Sequence, residues 1–295
     1  MENERKYEIY VDGSIDIDPD YLVQNGIRFI KMEYTIDDKS FVMEAPPTEQ
    51  EMKGFYDKMR SGSLTGTSQI TPYAYEEVFK AAAQEGKDVL YICLSSGLSS
   101  TYSSALTAAK NIMEEYPGLC IEVVDALGAT GGSWLLLMEA IKQRDSGKSL
   151  SENAAFLREN AASICYWFMV EDLEYLKRGG RISATAAFAG NVLNLKPVLK
   201  INDEGKLVNI SKQRGVPRAL KFMLDCYRNA HENTVSENVV ISNADCFERA
   251  QKVAEEIKSI NPGANVYICP IGPVIGAHVG PGMIALIHFG NRNYK

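Results

Sequence analysis

Short apolar runs alternate with amphipathic stretches through the first half of the chain. Residues 7–11, 27–34, 89–94 and 121–125 are dense in β-branched and aromatic side chains and read as strands. Helical spacing fills the gaps between them. After Thr71-Pro72 the run YAYEEVFKAAAQEG opens with a capping threonine and a proline at the first helical position, and Gly86 closes it. Residues 104–116 and 133–144 read the same way. Strands separated by helices imply βαβ units around a parallel sheet, with the ligand site outside the carboxyl ends of the strands.

Ser149-Leu150-Ser151-Glu152 is a capping box that starts a helix running to about Ala161, and a domain boundary is placed there. Beyond it the pattern changes. A strand at 164–170 precedes VLKINDEGKLVNIS, a hairpin turning at Asp203-Glu204-Gly205. Further strands are expected at 238–243, 265–272 and 283–290, with helices at 218–229 and 246–259. The fold class predicted is α/β in two domains. Residues 1–160 form an N-terminal three-layer α/β/α domain on a parallel sheet; residues 161–295 form a C-terminal two-layer α/β domain on a mixed sheet. A length of 295 residues suits two domains.

Composition narrows the function. Apolar residues are 45% and charged residues 23%, the balance of a globular protein. Lys plus Arg number 31 against 38 for Asp plus Glu, a net charge of −7, which argues against a nucleic-acid binder. The six cysteines are scattered, without a CxxC, mostly in apolar runs, and no HExxH or His/Cys cluster occurs. Neither a metal nor a cofactor is expected, and the setting reads as reducing. The N-terminus MENERKYEIYVDG carries charges where a signal peptide needs an apolar stretch. The longest apolar run, WLLLMEAI, is too short to cross a bilayer. A cytoplasmic protein without an integral membrane segment is expected.

Three clusters gather small and polar residues. The first is LTGTSQITP, residues 64–72, whose hydroxyls before a helix can face an anion; a capped loop is the plainer reading. The second is LSSGLSSTYSS, residues 94–104, where a strand runs into serines and then a helix. The third is IGPVIGAHVGPG, residues 271–282, in which Pro273 and Pro281 argue for a loop or two turns. His278 sits inside it among glycines, with little core around it to satisfy, so a polar task is favoured. Lys177, Arg178 and Arg181 in LEYLKRGGRI match a helix C-terminus and leave a positive surplus for docking a partner. Ser146-Gly147-Lys148-Ser149 lacks the first glycine of a phosphate loop, and no GxGxxG exists.

Taken in order, GTSQITP, ICLSSGLSSTYSSA, DLEYLKRGGRI, LNLKPVLKINDEG and IGPVIGAHVGPG resemble the DegV family along nearly the whole chain. The resemblance implies a non-catalytic bacterial protein of two α/β domains that binds a long-chain fatty acid such as palmitate. It also implies, for some members, a separate fatty acid kinase that phosphorylates the bound acid. Its carboxylate-binding threonine falls on Thr67, its serine on Ser96 with Ser95 adjacent, its histidine on His278, and a basic residue on Arg214. Two positions depart from the pattern. Val11-Asp12-Gly13-Ser14 stands where the family has VDST, and HVGPG lacks the threonine that commonly follows the histidine.

The chemistry agrees with this. A desolvated carboxylate needs donors, which two hydroxyls and an imidazole supply. At about 0.8 kcal/mol per buried CH₂, a sixteen-carbon chain offers on the order of 10 kcal/mol before ordering costs. The alternative is a serine-dependent acyl hydrolase in which His278 activates Ser96 and Asp12 orients the imidazole. No GxSxG elbow supports it.

Overall fold

The computed structural model describes residues 7–183, 194–231 and 235–294. The charged N-terminal hexapeptide and Leu193, which opens LNLKPVLK, lie outside the described residues.

Strands β1 (Tyr7–Asp12), β2 (Ile27–Ile30), β6 (Asp88–Cys93) and β7 (Ile121–Asp125) form a parallel sheet in the order β2-β1-β6-β7. Helices α3 (Pro72–Gln84) and α4 (Thr101–Glu115) cover one face, where Tyr75, Phe79, Ala105 and Ile112 pack against Val89, Tyr91 and Val123. Helices α5 (Gly131–Asp145) and α6 (Leu150–Ala161) cover the other. The expected N-caps are in place. Thr71 accepts from Ala74 N–H, and Ser149 and Glu152 close the capping box.

After α6, β8 (Ile164–Met169) opens a six-stranded mixed sheet. The others are β9 (Leu195–Ile201), β10 (Leu207–Arg214), β11 (Asn238–Asn243), β12 (Asn265–Pro270) and β13 (Ile284–Phe289), in the order β10-β9-β8-β13-β11-β12. Only β11 and β12 run parallel. Helices α8 (Val216–Ala230) and α9 (Phe247–Ile260) bury Met223, Tyr227, Val253 and Ile257 on one face. The opposite face meets α5. That helix is buried on nearly every side, because WLLLMEAI must satisfy two sheets at once.

Contact between the halves is made by omitted side chains. A Cβ on Gly128 or on Gly132 would fall 1.9 Å from the Tyr166 hydroxyl, and one on Gly131 would fall 2.4 Å from Val240. Only glycine lets α5 begin flush against β8 and β11.

Three expectations are corrected. Residues 27–34 are not one strand. The chain leaves the parallel sheet at exposed Lys31, since β2 is an edge with nothing beyond it, and Met32 starts β3 (Met32–Ile36). With β4 (Lys39–Met43) and β5 (Thr65–Ser68), β3 makes a small antiparallel sheet, so GTSQ lies on and just after a strand rather than in a loop alone. The histidine segment is neither a loop nor two turns. Pro273 takes the first position of α10 (Pro273–Val279), where its missing N–H costs nothing, and Gly280 at φ 75° ends the helix before Pro281. Helices α1 (Pro19–Asn25), α2 (Glu49–Arg60) and the short α7 (Glu174–Arg178) complete the described elements.

Candidate ligand-binding site

A cavity of about 520 Å³ lies between the carboxyl ends of β6 and β7 and the inner face of the mixed sheet. Leu94 and residues 96–100 reach it from the β6–α4 loop, and Ala129 and Thr130 from the β7–α5 loop. Tyr166, Phe168, Ile201, Leu207 and Ala285 line it from the second half. The lining is graded. Ser68, Gln69, Ser96 and Ser100 are exposed, whereas Leu94, Phe168, Ile201, Met283 and Ala285 are buried. The exposed part of the lining is polar and the buried part largely apolar, with Thr130 and the Tyr166 hydroxyl its buried polar members.

Thr67, Ser96 and His278 all line this cavity, though they come from β5, the β6–α4 loop and α10. Thr67 Oγ1 lies 2.8 Å from His278 Nε2. The neighbouring carbonyl fixes the same pairing, since Thr65 Oγ1 donates to Ala277 O at 3.2 Å. Burial, reinforced by the charge of Arg181, lowers the His278 pKa to about 4, so the imidazole is neutral near pH 7. A Cβ on Gly179 would sit 2.2 Å from His278 Nδ1, which gives that side of the ring a backbone wall.

The serine pair separates by role. Ser95 is fully buried and donates to Gly205 O at 2.9 Å, closing the seam between the halves. Ser96 is exposed, and its backbone N–H donates to the Asp125 carboxylate at 3.2 Å, which holds the loop and leaves the hydroxyl at the cavity. Arg214 does not line the cavity; it ends β10, exposed.

Residues beyond the sequence-derived set also belong here. Arg181 lines the cavity, donating to Leu98 O at 3.2 Å and Gly179 O at 2.6 Å, rather than standing with Lys177 and Arg178 on the surface. Lys177 pairs with Glu174, and Arg178 stacks over Tyr175. Thr130 is held at φ 56°, ψ −133° at the cavity wall, a conformation a β-branched residue adopts only under constraint. The sequence marks GGRI as a helix stop and gives Arg181 to a docking surface, and it holds no signal for the Thr130 backbone.

The hydrolase arrangement is not assembled. Asp12 accepts from Ser14 N–H and Oγ, from the Tyr91 hydroxyl and from Leu94 N–H. It orders the end of β1, and the imidazole has a threonine and a glycine beside it instead of an acid. Among the described residues no three His, Cys, Asp or Glu side chains converge on a metal position, and no helix is long and apolar enough to cross a membrane.

Comparison with known proteins defines the class. A family model described as "Uncharacterised protein, DegV family" matches residues 6–290, and the chain belongs to the DegV family. A DegV domain-containing protein of Clostridium perfringens is 34% identical over 287 residues, covering 97% of this chain and 98% of its own. Among solved structures, a DegV lipid binding protein from Thermotoga maritima superposes with a TM-score of 0.81 at 28% identity, over 98% of this chain and 100% of that one. A DegV family protein from Thermus thermophilus, described for its fatty acid binding, gives 0.80 at 27% identity over 97% and 99%.

Proposed function

We propose that this protein is a carrier, not an enzyme, which binds one long-chain fatty acid with its carboxylate at Thr67 and Ser96 and its acyl chain in the apolar cavity. The observation that carries this reading is the graded lining: hydroxyls where it is exposed, mostly aliphatic and aromatic side chains where it is buried. Residues 1–160 would supply the hydroxyls, and residues 161–295 His278 and most of the apolar wall. With its proton on Nε2, the neutral imidazole donates to Thr67 Oγ1, which turns the threonine proton toward a ligand oxygen. Ser96 donates from the other side, and Arg181 lends positive charge without clamping the anion. Hydroxyl donors hold a carboxylate less firmly than a bidentate guanidinium, which suits cargo that is handed on. Delivery to a fatty acid kinase in the cytoplasm belongs to the same proposal. Arg214, exposed on β10, is then assigned to a surface role instead of the head group.

Native mass spectrometry of protein purified from a bacterial host tests it. An excess of one long-chain fatty acid, lost on denaturation, is expected, and Thr67→Ala with Ser96→Ala should reduce oleate affinity by about tenfold to a hundredfold, for two hydrogen bonds lost. A protein that takes up neither oleate nor palmitate, or a double variant with unchanged affinity, overturns the assignment.

A further inference from the structure

The loop between β1 and α1 buries an acid for which the site described above has no use. Asp16 stands between Ile15 and Ile17, and all three are at most 1–2% exposed. Its Oδ1 accepts from Gly272 N–H at 2.7 Å, while Oδ2 has no hydrogen-bond partner. Among the described residues no cation pairs with it. The groups that face it are the Tyr56 hydroxyl from α2 and the Cys269 thiol from β12, neither of which offers positive charge. Further along the seam, Arg60 of α2 is already paired with Asp245.

Gly272 is the residue on which α10 begins, in extended conformation immediately before Pro273. The fit is close: a Cβ there would approach Asp16 Oδ1 to 3.2 Å. Tyr56 donates to the neighbouring Ile271 O at 2.8 Å. The N-terminal half therefore grips α10 at both ends, with Asp16 and Tyr56 at its start and Thr65 and Thr67 at its finish. Because α10 is a single rigid piece of seven residues, its starting point sets where the His278 ring lies.

We propose that Asp16 is a positioning residue: its buried carboxyl, accepting from Gly272 N–H, seats α10 and so holds His278 in register with Thr67. This rests on the carrier reading for its ligand, not for its mechanics. Burial with no counter-charge raises the Asp16 pKa from 3.8 to about 8 although the Gly272 N–H favours the ionised form, so the proton stays on through neutral pH, and its loss above that range leaves an unpaired buried charge that draws in water and works the seat loose. The sign follows. Between those values the folded protein holds a proton that the unfolded chain has lost, so stability falls as pH rises from about 4 to about 8 and then levels. His278, whose own pKa is lowered, contributes with the opposite sign below pH 6.5, so a comparison of variants separates the two.

The test uses the full chain with Asp16→Asn, which keeps an acceptor for Gly272 N–H and cannot ionise, and Asp16→Ala, which removes it. Melting without ligand is followed from pH 5 to 9, and oleate affinity by displacement of a fluorescent fatty acid over the same range. The melting temperature of the wild type minus that of Asp16→Asn should fall steadily up to about pH 8. Above that value wild-type affinity should drop by up to about tenfold per pH unit, while Asp16→Asn stays flat and Asp16→Ala, if folded, binds weakly throughout. Parallel pH profiles for wild type and Asp16→Asn, or full affinity in a folded Asp16→Ala, overturn the proposal. A wild type that binds no oleate at any pH overturns the carrier reading instead, and the melting comparison still decides the role of Asp16.

Discussion

At the scale of single residues, the site keeps its one imidazole neutral beside the charged Arg181. That imidazole belongs to His278. Burial and Arg181 together hold its pKa at about 4 against an ordinary 6.5. Above pH 6.5 the ring is neutral whether the chain is folded or not. Between 6.5 and about 4 only the unfolded chain takes up the proton, so stability is lost as pH falls through that window. His278→Asn lacks this linkage. Melting of the two proteins from pH 7.5 to 4 should therefore show the wild type losing ground to the variant as acidity increases; a constant difference would mean that the ring is not shielded. His288, buried against Trp167 and lowered to about 3, is present in both proteins and cancels. His278 stood out in the sequence as a histidine among glycines with few structural duties, and the hydroxyl clusters stood out as groups, but Thr67 and Ser96 within them were singled out by the resemblance to the DegV family. Asp16 was not, since an acid between two isoleucines announces burial only once the loop is seen folded.

At the scale of elements, most of the architecture was written in periodicity. The strands of the parallel sheet, the capped helices and the hairpin at Gly205 all follow from local pattern, turn chemistry and capping. The parts that were not legible depend on contacts distant in sequence. The small sheet β4-β3-β5 forms because β3 finds β5 some thirty residues later, and Leu64 and Phe41 remain exposed on it, so no amphipathic signal marks it. The placement of α7 is of the same kind. Its sequence predicts a glycine stop, but not that Gly179 would press on His278. That contact is testable. Gly179 has φ −71°, so alanine suits the backbone, and the added Cβ must displace the imidazole. Gly179→Ala should weaken oleate binding about tenfold, the worth of one misplaced hydrogen bond. Added to His278→Ala it should cost nothing more, because the two act through one ring. Additive losses in the double variant would show that α7 acts on the ligand by another route.

At the scale of the whole molecule, the cavity has no owner. Its polar end comes from the β5 and β6 loops and its apolar wall from β8, β9, β10 and β13, with α5 filling the space between the sheets. The seam is correspondingly tight. Ser95 donates to Gly205 O, Gly131 N–H to Ser242 Oγ, and the Arg292 guanidinium spans Leu127 O, Ala161 O and Ile164 O. A ligand held there is bound by both halves or by neither, and it has no site in the unfolded chain. It should then stabilise the molecule as a unit, by about 2.7 kcal/mol at a free concentration a hundred times Kd. Calorimetry of delipidated protein should give one transition that moves upward intact as oleate is added. Gly205→Ala, whose Cβ would fall 2.0 Å from Ser95 Oγ at a φ of 70°, breaks the seam directly behind Ser96. That variant should split the transition or broaden it, and should shrink the oleate-induced shift although Thr67, Ser96 and His278 are untouched. Two transitions in the unmodified protein, with oleate moving only one, would assign the ligand to a single half and remove the basis for a shared cavity.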